Sequence, residues 1–437
     1  MSMSLIETLP AEVFDEILGN CHPGMTYTLR YPPKKGDPVL VLSQVSHYWR
    51  SFLHDNALLW SRLSLHPSSN PTITSHDYLA GLAQWITRSC GLPLHLSTVL
   101  RTNSTKFNIL EDIVKPYSRQ IQHLTIALNT EELAEFFQLG AAFPRLKTLI
   151  LVPSRVDHLS TVAPTTTFPA LEHASFGIPV LSPNTLSTIP WNQLTSFRLN
   201  GDQKAEEYLR CLPLCTALRH HKLYLDRDTI TALLIADAQS IALPNLESLE
   251  IESTEEITEC DLMNPFFTPA LEHLELILRR NFTFTAFTNL IVRSGCTLKS
   301  LWLHAISLSI HCDDLAAGFI HIPKLQRLVM GCMSNFPIHH LFTLFFPGRV
   351  TGPLLNIFSI SHAILEARSR RAYAAEDILD PEIIVYGPSP VFTGKGEQRC
   401  IDNFRDQGLN ISYPDEVDYS KYSSLCHTST GRLYTAL

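Results

Sequence analysis

One pattern limits what this chain can fold into: apolar-x-x-apolar-x-apolar, often preceded by Pro-x. It appears as Ile121-Leu124-Ile126, Leu146-Leu149-Leu151, Leu171-Ala174-Phe176 and Leu194-Phe197-Leu199. It continues as Leu246-Leu249-Ile251, Leu271-Leu274-Leu276, Leu298-Leu301-Leu303, Leu325-Leu328-Met330 and the weaker Leu355-Phe358-Ile360. A degenerate copy between the fourth and fifth of these has Leu218 and Leu223 with His221 at the middle apolar position, which makes ten copies. Their first positions are separated by 23 to 30 residues. Alternation inside each copy reads as a short strand with one buried face, and a period of this length means one strand and one returning segment per copy. A single copy cannot bury its apolar face, so neighbours must stack. Strands about 4.8 Å apart over nine intervals predict a parallel sheet roughly 43 Å long. The 437 residues would otherwise suggest about three domains at roughly 150 residues each; one repetitive architecture absorbs most of them instead.

The period resembles that of leucine-rich repeats, although the Asn of the longer consensus is mostly missing. The resemblance implies an α/β chain: a short all-α N-terminal domain followed by a ribonuclease-inhibitor-like parallel β solenoid. Residues 121–387 are assigned to the solenoid, 66–120 to a linker and N-terminal cap, and 388–437 to a C-terminal cap or tail. The run Gly91 to Leu96, after Trp85-Ile86, is expected to be a leading strand that couples the solenoid to the helical part. Pro381 to Tyr386 could be one more strand.

Alternation also decides which side chains are outward. With Leu249 and Ile251 inward, Ser248, Glu250 and Glu252 face out. The same register exposes Arg198, Asn200, His273, Glu275, Ser300, Trp302, His304 and Arg327. A large aromatic between an acid and a base on adjacent strands suits a peptide-binding hot spot. Arg198, Glu250, Glu275, Trp302, His304 and Arg327 are therefore the candidate target-binding residues. A one-residue slip in register would instead place Trp302 in the core.

Residues 1–65 read differently. Leu9, Val13, Phe14, Ile17 and Leu18 recur at helical spacing behind Thr8 and Pro10, and Gly19 ends the run. From Asn20 to Pro38, repeated prolines and glycines predict a loop. A second amphipathic pattern then carries Leu42, Val45, Trp49, Phe52 and Leu53 on one face, and Asn56 can cap a third helix at Ala57 to Trp60. Leu9-Pro10-Ala11-Glu12, then Ile17-Leu18, then Leu42-Ser43-Gln44-Val45 with Trp49, then Leu59-Trp60, resembles an F-box, here with a longer loop between its first two helices. The match is to F-box proteins with C-terminal leucine-rich repeats, of the fungal type. It implies docking onto the Skp-type adaptor of an SCF-type cullin-RING ubiquitin ligase through Leu9, Pro10, Ile17, Leu18, Leu42, Val45 and Trp49, with the solenoid holding a protein target.

Composition and motifs restrict the alternatives. The 34 basic and 42 acidic side chains give a net charge of -8, with no block of five like charges, so a grip on nucleic-acid phosphates is not expected. No apolar run reaches the ~20 residues of a membrane span, and no charged leader opens the chain. Ten scattered cysteines fit reduced thiols, and the expected location is cytoplasmic or nuclear. No nucleophile elbow, zincin helix or phosphate loop is present. Cys211, Cys215, His220 and His221 carry zinc-ligand chemistry, but small core cysteines explain two of them, and neither a metal nor a cofactor is assigned. The cluster His311-Cys312-Asp313-Asp314 gathers acid, base and thiol without a shared direction. The expectation is a substrate-recognition subunit that performs no chemistry itself. The alternatives are an interaction scaffold outside any ligase and, remotely, an enzyme with dispersed residues.

Overall fold

The protein is seen in a computed structural model that describes residues 13, 29–33, 37–66, 75–99, 108–153, 164–176, 188–199, 210–225, 241–253, 263, 265–278, 284–305, 321–322, 324–325, 327–332, 382–386 and 411–412. The chain divides into two compact units, Met1–Leu194 and Thr195–Leu437.

In the first unit the elements run β1 (Leu29–Tyr31), α1 (Pro38–Ser43), α2 (His47–Asp55), α3 (Ala57–Trp60), β2 (Arg62–Leu65), α4 (Ser75–Arg88), β3 (Leu94–Val99), β4 (Ile121–Leu128), α5 (Thr130–Gln138), β5 (Thr148–Pro153) and β6 (His173–Phe176). Strands β1 to β6 pair in chain order, every pair parallel. This is one strand per repeat, as the period requires. Inward residues align in two columns. One holds Leu29, Leu63, Leu96, Leu124, Leu149 and Ala174; the other holds Tyr31, Leu65, Thr98, Ile126, Leu151 and Phe176. All twelve are buried, so each strand extends one continuous apolar interior. Behind them Phe136 of α5 stacks on Phe168, centroids 5.9 Å apart, and Phe168 on Phe143 at 5.6 Å. Helix α5 starts on a capping box: Asn129 accepts from the Glu132 backbone N–H, and the Glu132 carboxylate accepts from that of Asn129.

In the second unit the strands are β7 (Ser196–Leu199), β8 (His220–Leu225), β9 (Ile241–Ala242), β10 (Ser248–Ser253), β11 (Phe266–Phe267), β12 (His273–Leu278), β13 (Ser300–Ala305), β14 (Arg327–Cys332), β15 (Glu382–Tyr386) and β16 (Ile411–Ser412), with helix α6 (Phe284–Ser294) before β13. The main sheet is parallel in the order β7-β8-β10-β12-β13-β14-β15-β16, while β9 and β11 pair separately on the returning side. Phe197, His221, Leu249, Leu274 and Leu301 share one inward column; Leu199, Leu223, Ile251, Leu276 and Leu303 share the next. All ten are buried.

The recurrent proline has a local cause. The N–H of Leu146 donates to Phe143 O, that of Leu171 to Phe168 O, that of Leu246 to Leu243 O and that of Leu271 to Thr268 O, at 3.2 to 3.3 Å. Pro144, Pro169, Pro244 and Pro269 each occupy the second position of these four-residue turns, where a fixed φ is favourable. The turn hands the chain to its strand with the leucine already inward.

Several expectations change. The loop predicted from Asn20 to Pro38 contains β1, which is held to β2 through Leu29–Leu63 and Tyr31–Leu65. Helical patterning predicted after Pro38 is split, because Ser46 turns extended and its Oγ accepts from the Trp49 N–H, starting α2 afresh. Residues 62–65, placed with the helical domain, are a strand of the sheet, and Ser75–Arg88 in the supposed linker is a helix. The leading strand is present as β3, and the strand expected at Pro381 to Tyr386 is present as β15, which neighbours β14 directly. Leu355, Phe358 and Ile360 of the tenth copy lie outside the described residues, as does His311 to Asp314.

Candidate protein-binding surface

On the second unit, strand register brings most of the predicted target-binding residues into one outward row. Arg198 lies beside Lys222, Lys222 beside Glu250, Glu250 beside Glu275 and Glu275 beside Trp302. The slip that would bury Trp302 has not occurred: Leu301 and Leu303 are buried and Trp302 between them is half-buried. Arg327 sits in the adjacent row, opposite Ser300. Its guanidinium nevertheless lies over the indole, 4.9 Å from the ring centre, and the indole N–H donates to Ser300 Oγ at 3.1 Å. Base and aromatic are thereby held as one plate. For His304 only the backbone position is described, opposite Ile277.

Lys222 is the residue that alternation should have added and did not. His221 at a leucine position obscured the copy, yet the residue following it must face out. Lys222 Nζ pairs with the Glu250 carboxylate and lies 3.3 Å from that of Glu252. Burial, then the Glu250 carboxylate, raises the Glu275 carboxyl to about 7; Lys222 opposes this and Glu252 adds to it. The row therefore offers a proton-exchanging carboxyl beside an aromatic plate. A cationic partner side chain would complete that pair, since a positive charge near Glu275 holds it ionised.

The predicted adaptor-binding residues are divided. Leu9, Pro10, Ile17 and Leu18 lie outside the described residues. Leu42 is half-buried and Val45 is 56% exposed. Trp49 is only 6% exposed and shares the inward face of α2 with buried Leu53. Among the described residues of this helical part, the exposed large apolar groups are Val41, Val45, Tyr48 and Leu58, the last 66% exposed. Val41, Tyr48 and Leu58 were not singled out because helical spacing reports an apolar face without saying what covers it.

The four residues with zinc-ligand chemistry do not converge. Cys211 and Cys215 are buried, while adjacent His220 and His221 alternate, the first exposed and the second buried. Among the described residues no group of three or more His, Cys, Asp or Glu could hold a metal ion. No helix among them is long and apolar enough to cross a membrane. No family model matches this chain, and no curated protein matches it.

Proposed function

We propose that this chain is a substrate-recognition subunit of an SCF-type cullin-RING ubiquitin ligase, with an F-box in the first 65 residues and leucine-rich repeats of the ribonuclease-inhibitor type after it. The observation that carries the binding half is the outward row Arg198-Lys222-Glu250-Glu275-Trp302, with Arg327 over the indole. Charged and aromatic groups at fixed spacing on an open sheet face suit recognition of a protein. The adaptor half is supported by the order of the F-box-like motifs from Leu9 to Trp60 and by the outward apolar set Val41, Val45, Tyr48 and Leu58 beside Leu42. In this reading the chain performs no chemistry. It raises the local concentration of a target's lysines beside a conjugating enzyme.

Binding of the intact chain to purified Skp-type adaptor tests the proposal. Val41→Asp with Val45→Asp should abolish capture while leaving the melting transition in place, since both side chains are exposed. An intact chain that fails to bind removes the F-box assignment. Point variants are the right tool, because deleting residues 1–65 would strip β1 and β2 from the sheet.

A further inference from the structure

The first unit carries an outward row of one arginine and three imidazoles. Register sets Arg62 of β2 beside His95 of β3, His95 beside His123 of β4, His123 beside Thr148 and Thr148 beside His173. The row next to it reads Arg30, Ser64, Ser97 and Thr125. The His95 and His123 rings stack with centroids 3.8 Å apart and planes 26° from parallel. Among the described residues no carboxylate pairs with Arg30, Arg62, His95 or His123. Arg30 Nε is buried and has no hydrogen-bond partner there. The nearby acid is Glu172, which Lys147 engages at 2.8 Å and which lies 3.9 Å from His173, at the far end of the row.

We infer that this row binds an extended acidic peptide segment of a partner protein, whose carboxylates lie along Arg62, His95 and His123. Charge complementarity selects the occupant. The groups are single cations or cation precursors on successive rungs about 4.8 Å apart, with hydroxyl donors alongside, which suits a series of monoanions rather than one dianion. Nucleic acid would need a broad Lys and Arg cluster, whereas this row passes into Thr148 and the row beside it into Ile150. The inference is independent of the ligase reading and survives if the adaptor does not bind.

Proton linkage gives the surface a signature. Burial first, then His123 and Arg62, holds His95 down at about 4. Burial first, then His173, Arg62 and Lys147, lowers His123. Both rings are thus neutral near pH 7 in the free protein, and a carboxylate laid against them restores the protonated form. Binding takes up protons, so affinity rises as pH falls.

The test uses the full chain and a fluorescein-labelled Glu-rich peptide of about twelve residues, long enough at ~3.3 Å per residue to cross the row. Fluorescence anisotropy compares it with its Gln counterpart, a singly phosphorylated peptide and single-stranded RNA of like length. The Glu peptide should bind and the Gln peptide should not. Returning the His95 imidazole from about 4 to its ordinary 6.5 should tighten binding roughly fourfold between about pH 7.5 and 6.0, and His123, also lowered in the free protein, adds in the same direction. Arg62→Gln should weaken binding at both pH values; His95→Gln with His123→Gln should remove the pH dependence. Imidazole shifts followed by NMR on the unsubstituted protein give the same answer without relying on a variant's folding. Equal binding of Glu and Gln peptides, unmoved imidazole titrations, or preference for phosphopeptide or RNA would each overturn the assignment.

Discussion

His221 occupies the column otherwise held by Phe197, Leu249, Leu274 and Leu301, and only 2% of it is exposed. Its ring stacks on Phe197, centroids 5.6 Å apart, and its Nδ1 lies 2.9 Å from the Phe197 carbonyl, to which the Nδ1–H tautomer donates. Burial, opposed by that hydrogen bond, lowers its pKa from 6.5 to about 4. Above 6.5 neither the folded nor the unfolded chain holds the proton, so the group has no pH effect there. Below 6.5 the unfolded chain takes a proton that the folded chain refuses, and stability falls until the folded pKa is passed. The full loss is about 2.5 pKa units, roughly 3 kcal/mol at ~1.4 kcal/mol per unit, and about 2 kcal/mol of it is present at about pH 5. His221→Leu removes this slope. At neutral pH it gives up a hydrogen bond worth about 1 kcal/mol and gains apolar burial, so the two proteins should be nearly matched. Hydrogen exchange of the β7, β8 and β10 amides, measured from about pH 7.5 to 5, should show the variant better protected only at the acid end. Parallel pH profiles for the two proteins would refute the reasoning.

Three further outcomes follow from packing and charge. Thr98→Val should stabilise the first unit by about 1 kcal/mol in a denaturant melt, because Thr98 Oγ1 is buried without a hydrogen-bond partner among the described residues. Gly81→Ala should lower the melting temperature despite the higher helix propensity of alanine: a methyl there meets the Tyr31 hydroxyl, which donates to Tyr78 O at 2.9 Å on a ring wedged edgewise between Tyr78 and Trp85, and such overpacking costs about 1–3 kcal/mol. Glu275→Gln should leave the fold intact and flatten the pH dependence of target binding near 7, since the carboxyl that titrates to about 7 there is gone; a target that binds both forms identically at every pH would rule Glu275 out as a contact.

Legibility in the sequence followed the physics of each element. Leu249 and Ile251 were readable because a half-buried strand must alternate, and a period of 23 to 30 residues repeats that demand. Trp302 came out of the same register. Strand β1 was not readable: three residues give a single turn of alternation, and Pro32, Pro33 and Gly36 around it signal a loop. The burial of Trp49 was not readable for another reason. An amphipathic helix has one apolar face, and whether its neighbour is the chain's own interior or a second protein is decided by tertiary packing. The arginine and imidazole row of the first unit required knowing that β3 and β4 pair with an extra residue, Gln122, between Ile121 and His123. Without that bulge His95 and His123 do not align.

The proline turns before the strands have an evolutionary consequence. Each turn resets the phase of its own strand, so residues gained or lost in a returning segment change nothing about which side chains appear on the outward face. Segment lengths can drift from copy to copy while the outward rows stay aligned, leaving selection free to edit the face one rung at a time.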